Sequence, residues 1–306
     1  MSMDLRDIEY FAVIAEHGHL GRAAEALGLG QPALSISLRR LENSAEAKLV
    51  KRTPKGVELT DIGRALLSHV RQLKLAREDL TREISDLAHG QAGHLRIGAS
   101  PATARGVLAD ACSTLLKDAP RITLDISIAA STDTLLQALR KGELDIIVPH
   151  MLNAPPDGVV REPLWEDEFV VYASVRHRLA RRKSVALADL VHERWTATAT
   201  SAILGQQSLR RTFEARGLPM PQIALTSDLA AMNHRLVASS GLLGIASRRP
   251  LEQDAGYLGL KIIPVTDVKW IRPVFVVYRK DGYLSPVAKR LIEILKATAK
   301  KIAKEP

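Results

Sequence analysis

Residues 20–42 of this 306-residue chain constrain its fold more than any other stretch. Segment 20–27 sets Leu20, Ala23, Ala24 and Leu27 on one helical face, and Gly28-Leu29-Gly30 ends it. Segment 31–42 opens with Pro32, which suits a first helical turn, and carries Leu34, Leu38 and Leu41 at i, i+4 and i+7. Two short helices across a three-residue, glycine-bearing turn make a helix-turn-helix. A helical segment at 4–16 precedes the pair and Gly18 breaks it. Lys51 to Leu59 follows as a small hairpin with a basic, Pro/Gly-bent tip.

Burying the three leucines turns Pro32, Ile36, Arg39, Arg40 and Asn43 outward. In a helix-turn-helix this outward face, above all its N-terminal part, enters the major groove of DNA. Gln31 has the geometry for adenine, and the arginines for phosphate or guanine. Ile36 is an apolar side chain on a polar face: it either meets a thymine methyl or is covered by a neighbouring loop. Arg52 and Lys55 of the hairpin suit phosphates, contacts that position without specifying sequence. Charge supports this locally. The whole chain carries +9, yet residues 1–60 hold eight Lys/Arg against eight Asp/Glu, and the excess lies after position 90. Within the first sixty, residues 39–55 carry six bases against two acids.

Residues 60–89 lack proline, and apolar residues recur at 66, 70, 73, 80, 84 and 87, with Arg77 in one slot. Such a seam suits a helix that pairs with a partner helix; packing on its own domain is the plainer alternative. Beyond Gly90-Gln91-Ala92-Gly93 strand-like runs (94–98, 122–129, 144–148) alternate with helical ones (103–117, 132–141), and the pattern repeats from 168 to 278. Alternation of this kind implies βαβ units with parallel sheet, here enough for two α/β subdomains around a cleft. A basic amphipathic helix at 286–304 closes the chain.

Phe11-Ala12-Val13-Ile14-Ala15-Glu16, Arg22-Ala23-Ala24-Glu25-Ala26-Leu27, Gln31-Pro32-Ala33-Leu34-Ser35, Arg39-Arg40-Leu41-Glu42, Leu49, Arg52, Leu59-Thr60 and Gly63 together resemble the LysR-type transcriptional regulators. The likeness continues more loosely through Leu95-Arg96-Ile97-Gly98, Gly142-Glu143-Leu144-Asp145 and the segment from Leu236 to Ala246. It implies an all-helical N-terminal winged helix-turn-helix at 1–60, a dimerising linker helix at 61–89 and an effector-binding domain at 92–306. That domain would be a two-subdomain α/β fold resembling periplasmic binding proteins, subdomain I spanning 92–165 and 269–306, subdomain II 166–268. The resemblance implies binding to double-stranded promoter DNA as a homodimer or homotetramer, a small-molecule effector, and RNA polymerase as a further partner. Gln31, Pro32, Ser35, Ile36, Arg39, Arg40, Arg52 and Lys55 form the expected DNA-binding set. Departures include His19 for a usual serine, which forgoes a helix cap worth ~1 kcal/mol, Gly30 for a usual Ser/Thr, and Ala45, Glu46 and Val50 after the recognition helix.

Ligands of doubly wound folds sit beyond the carboxyl ends of strands, at helix N-termini. Ser100 follows the first strand, Ser131 and Thr132 the second, and His150 the third, while Thr198, Thr200 and Ser201 occupy a polar loop of the second half. The family independently points to the positions of Ser100 and Thr132. Hydroxyls and free N–H groups there suit a carboxylate or sulfonate; the plainer reading is that Ser100 and Ser131-Thr132 only cap helices. A serine hydrolase is a poor fit to Gly98-Ala99-Ser100-Pro101-Ala102, because Pro101 removes an N–H from the oxyanion hole, and Asp145 and His150 lie ~17 Å apart along one strand. A small-molecule-binding protein without a DNA role would leave the first ninety residues unused. No zinc-ligand spacing, phosphate loop or dinucleotide fingerprint points to a metal, a cofactor or an enzyme. The single Cys112 excludes a dithiol switch within one chain. No apolar run reaches the ~20 residues of a membrane span, and the acidic start MSMDLRDIEY is unlike a secretory signal, so the expected location is the cytoplasm.

Overall fold

Leucine, isoleucine and alanine at helical spacing fold the first 44 residues into α1 (Leu5–His17), α2 (Leu20–Ala26) and α3 (Gln31–Ser44). They bury Phe11, Ile14, Ala23, Leu34 and Leu41 in one core. This computed structural model describes residues 3–54, 56–89, 93–129, 131–149, 157–197, 206–227 and 229–302, and the chain divides into two compact units, Met1–Ile84 and Ser85–Pro306. Asp4 caps α1 by accepting from the Arg6 N–H at 2.8 Å. The cap that His19 was expected to forgo is present: its Nδ1 accepts from the Gly21 N–H at 3.0 Å, so an imidazole does the work of a serine hydroxyl.

A hairpin of β1 (Val50–Thr53) and β2 (Gly56–Leu59) follows, antiparallel, with Val50 opposite Leu59. Its start is fixed by Glu42, whose buried carboxylate accepts from the N–H groups of Leu49 (3.0 Å) and Val50 (3.4 Å) and pairs with Lys48 at 2.6 Å. Its far strand is fixed by Val57, whose N–H donates to the Gly18 carbonyl at 2.8 Å. Gly56 makes that approach possible, because at φ 135° a Cβ here would lie 2.2 Å from the Gly18 oxygen.

Thr60 accepts from the Gly63 N–H at 3.0 Å and opens α4 (Asp61–His89), a helix of 29 residues. Its apolar seam divides. Leu66, Leu67 and Val70 pack onto the N-terminal core, whereas Leu73, Leu80, Ile84 and Leu87 are exposed, Leu87 at 79%. Arg77, the polar slot of the seam, pairs with Glu9 of α1.

In the second unit β3 (His94–Ala99) runs parallel to β4 (Thr123–Ile128) and β5 (Ile146–Val148). Helices α5 (Pro101–Thr103), α6 (Ala109–Asp118) and α7 (Thr132–Arg140) connect them. Alternation along each strand feeds two layers. Leu95, Ile97, Ile146 and Val148 face α6 and the last helix, while Ile147 faces α7 with Leu135 and Leu139. The helix expected over 103–117 is broken: Arg105 and Gly106 are non-helical, Gly106 at φ 81°, and a π-type turn joins α5 to α6.

The remaining elements are β6 (Val159–Ser174), β7 (Arg194–Ala197), α8 (Gln206–Glu214), β8 (Gln222–Thr226), α9 (Ala230–Ser239), β9 (Gly244–Ser247), α10 (Arg248–Leu258), β10 (Leu260–Ile262), β11 (Trp270–Arg279) and α11 (Pro286–Ile302). The sheet is mixed rather than wholly parallel. Its order is β10-β6-β11-β5-β3-β4 with β9 on β6, and β6 and β11 pair antiparallel with their neighbours. Two cores hang on this frame. One lobe gathers β3, β5, α6 and α11; the other gathers Phe169, Val171, Trp195, Phe213 and Trp270. Cys112 lies in the first core, 5% exposed, and burial pushes its thiol up to about 11.

Replacing Gly56 by Ala should strain the hairpin against Gly18 and cost about 2 kcal/mol. The expected readout is a lower temperature for the transition of the N-terminal unit in calorimetry, with the second unit unchanged.

Candidate nucleic-acid interface and effector site

The outward face of α3 is built as its wheel requires. Leu34, Leu38 and Leu41 are buried, Gln31, Pro32, Arg39 and Arg40 are exposed, and Ser35 is half-buried at the edge. Ile36 is 61% exposed, so no loop of the described chain covers it. Arg39 has no ion partner among the described residues. Arg52 is exposed on β1; Lys55 lies outside the described residues.

Arg40 differs. Its guanidinium makes a two-pronged ion pair with Asp7 of α1, and Ser37 Oγ donates to the same carboxylate at 2.6 Å. Asp7 is 1% exposed. The Arg40 guanidinium, helped by the Ser37 hydroxyl, holds its carboxyl below the usual carboxylate range despite burial. The wheel placed Arg40 on the DNA face; the structure shows its charge engaged in tying α3 to α1. Sequence reasoning missed Asp7, although the signal was present: Asp7, Phe11 and Ile14 share one face at helical spacing.

Among the described candidate effector residues, Ser100 follows β3, and Ser131 and Thr132 open α7 after β4. Ala99 lies opposite both Ile128 and Val148, so β3, β4 and β5 end together. Ser100 begins just past that edge. Its Oγ meets the Thr103 Oγ1 at 2.9 Å and accepts from the Thr103 N–H at 3.2 Å, while Thr103 Oγ1 returns to the Ser100 N–H at 3.1 Å and donates to the Val148 carbonyl at 2.6 Å. Ser100 is therefore a buried capping residue whose hydroxyl is already engaged. Ser131 stands at the cap of α7 without a side-chain capping bond, and Thr132 beside it is half-buried. His150, Thr198, Thr200 and Ser201 lie outside the described residues. Asp145, the acid of the hydrolase alternative, is held by Arg96 through Nη2 at 2.7 Å and the main-chain N–H at 2.9 Å, a structural pairing at the opposite end of its strand.

Known proteins carry the same plan. Residues 5–64 match the family model of the bacterial regulatory helix-turn-helix protein, lysR family, and residues 88–300 match that of the LysR substrate binding domain. The transcriptional regulator YtlI of Bacillus subtilis is 28% identical over 95% of this chain and 92% of its own. The SDS degradation transcriptional activation protein of a Pseudomonas species is 30% identical over 94% of each. OxyR of Escherichia coli, a DNA-binding transcriptional dual regulator, is 27% identical over 96% of this chain and 95% of its own. Among solved structures, a full-length OxyR variant from Pseudomonas aeruginosa superposes with a TM-score of 0.65 at 22% identity, covering 98% of this chain and 95% of that one. CbnR in complex with its target DNA gives 0.57 at 21% identity, covering 97% and 100%. The last two likenesses concern fold.

Because the folded carboxyl of Asp7 is the stronger acid, its contribution to stability is complete above the unfolded value of about 4 and fades as pH falls through the folded one. Asp7→Asn should therefore lower the melting temperature of the N-terminal unit at neutral pH, and the gap from wild type should narrow as pH falls below the usual carboxylate range. A gap of constant size would show that the ion pair is not the cause.

Proposed function

The chain belongs to the LysR family of DNA-binding transcriptional regulators, and from that premise we propose how its own residues serve regulation. The recognition helix α3 enters the major groove with Gln31, Pro32, Ser35, Ile36 and Arg39 towards the bases and neighbouring phosphates, and Arg52 and Lys55 hold the flanking backbone. The observation that carries this reading is the exposed pair Ile36 and Arg39 opposite the buried face of Leu34, Leu38 and Leu41. Ile36 favours a thymine methyl, a contact that apolar side chains make in the major groove. Arg40 acts by orientation: bound to Asp7, it fixes the roll of α3 about its axis.

The units of action are the segments 1–60, 61–89 and 92–306, the last with its two subdomains. The exposed half of the α4 seam, Leu73, Leu80, Ile84 and Leu87, pairs with the same stripe of a second copy. The result is a homodimer, assembled into a tetramer on a partly palindromic site in the cytoplasm, where it meets RNA polymerase. A small carboxylate or sulfonate binds at the strand-end edge near Ser100, Ser131, Thr132, His150, Thr198, Thr200 and Ser201. It acts by preferring one of two placements of the subdomains, since a ligand shifts an equilibrium only by its difference in affinity. The free cap position at Ser131 supports ligand contact, whereas the Ser100 hydroxyl reaches a ligand only while also capping α5.

Capture and sequencing of genomic fragments by the purified protein should return a few discrete sites that are lost when residues 1–90 are removed. On such a site Arg39→Ala should weaken binding by about 1 kcal/mol or more, and Ile36→Ala should relax the preference at one A·T position. Wild-type behaviour of both variants on a panel of sites would refute the orientation of α3. With the effector nominated by genes beside the captured sites, Ser100→Ala combined with Thr132→Ala should remove effector binding in calorimetry and leave DNA affinity unchanged.

A further inference from the structure

A cavity of about 190 Å³ takes its lining from both lobes of the C-terminal unit; Ala102 of α5 belongs to it, whereas Ser100, Ser131 and Thr132 do not. Its first wall is the broken segment between α5 and α6, where Arg105 and Gly106 leave helical geometry. Trp165 and Asp167 of β6 line it as well, with Ser247 and Arg249 at the start of α10 and Lys301 in the last turn of α11. The first wall is held in place across the lobes. Arg105 makes a two-pronged ion pair with Asp254 of α10, both bonds at 2.8 Å, and Asp254 is also bonded by His234 (3.0 Å) and Tyr257 (3.0 Å). The Arg105 charge is thus answered, and the residue acts as structure.

Asp167 is the unusual member. It is 8% exposed, yet among the described residues its carboxylate accepts a single side-chain hydrogen bond, from Ser247 Oγ at 2.6 Å. An ionised carboxylate has about four acceptor positions, and a buried one without donors is costly. Burial raises its pKa to about 6 although Arg249 lies near enough to oppose the shift. Beside the field of Arg249, no cationic side chain among the described residues donates a hydrogen bond to this carboxylate. Lys301 supplies the opposite need: it is exposed in the last turn of α11, without an ion partner among the described residues. Trp165 adds an aromatic side chain to the same lining, suited to an apolar group or to a cation over its face. The other acid of the lining, Asp110, is exposed to solvent, where its field is screened. The volume lies below the ~300 Å³ at which drug-sized sites begin, so the occupant is small.

We propose that this cavity is a second ligand site, distinct from the strand-end site, that takes an amino-acid-sized zwitterion with its ammonium on Asp167, its carboxylate on Lys301 and an apolar or aromatic body against Trp165. Because its walls come from both lobes, an occupant bridges them through Asp167 and Ser247 on one side and Lys301 on the other. The strand-end effector is not required for this binding.

Calorimetric titration of the full-length protein with each proteinogenic α-amino acid at millimolar concentration tests the site. At least one apolar or aromatic member should bind, and its decarboxylated amine and its deaminated acid should each bind about tenfold more weakly or worse. Asp167→Asn should weaken the same ligand by about tenfold, and Thr132→Ala, on a helix that contributes nothing to the lining, should bind it like wild type. Lys301→Ala, an exposed helical change, gives a second reading should Asp167→Asn fail to fold, and should also weaken binding. Absence of any binder, binding indifferent to both Asp167→Asn and Lys301→Ala, or binding lost in Thr132→Ala would each overturn the proposal.

Discussion

The C-terminal unit depends on one pairing, that of β6 with β11. Ten residues of β11, Trp270 to Arg279, are matched with β6 from Phe169 back to Val159, and the two cores are threaded on this ribbon. Phe169 and Trp270 at one end belong to the second core; Val274 and Val276 further along belong to the first. Buried main-chain groups must be paired, so neither lobe can detach from the ribbon without exposing a ladder of hydrogen bonds. The ribbon does have one irregular point. Val274 faces Trp165 and Phe275 faces Pro163, which leaves Leu164 as an extra residue. A bulge increases local twist, and Pro163 has no N–H to contribute to the ladder. This irregular point lies within the first core, where Leu164 and Trp165 pack beside Val274 and Val276.

Much of this architecture was legible because one face of each element is buried. The period of 3.6 located α1 to α4, and the outward face of α3 followed from three leucines alone. Short apolar runs located β3 and β5, which are buried in the sheet, and β4, which is its largely exposed edge strand. The first half of β6 was not legible, since Arg161, Glu162, Glu166 and Glu168 interrupt its apolar run. Two of those charges find partners: Glu162 takes Lys296 and the Tyr278 hydroxyl, and Glu168 takes Arg248 at 2.6 Å. Antiparallel pairing of β6 with β11 joins residues more than a hundred positions apart, and no local pattern announces that. The break at Arg105 and Gly106 was hidden for a similar reason, as Arg105 is engaged there by Asp254, 149 residues away.

The DNA-binding head shows how far local reading reaches. A wheel says which side chains point outward, and it said so correctly for Ile36 and Arg39. It does not say which of them are already engaged. Arg40 meets an acid from another helix, and that acid is buried, so an exposed cation and a hidden anion form one unit. At the strand-end edge the same limit applies in reverse: Ser100 was read as a ligand contact or a cap, and its capping geometry is complete, with Thr103 reaching back to the carbonyl of Val148 to weld α5 to β5.

The position of Cys112 bears on how the protein can be studied. The single thiol of the chain is packed in the first core and stays protonated at neutral pH, and the thiolate is the reactive form. The natural background for maleimide or spin-label chemistry is therefore nearly silent. A cysteine introduced on either lobe would be the one that reacts, so lobe motion and assembly on DNA can be followed by fluorescence or pulsed resonance without first removing a native residue.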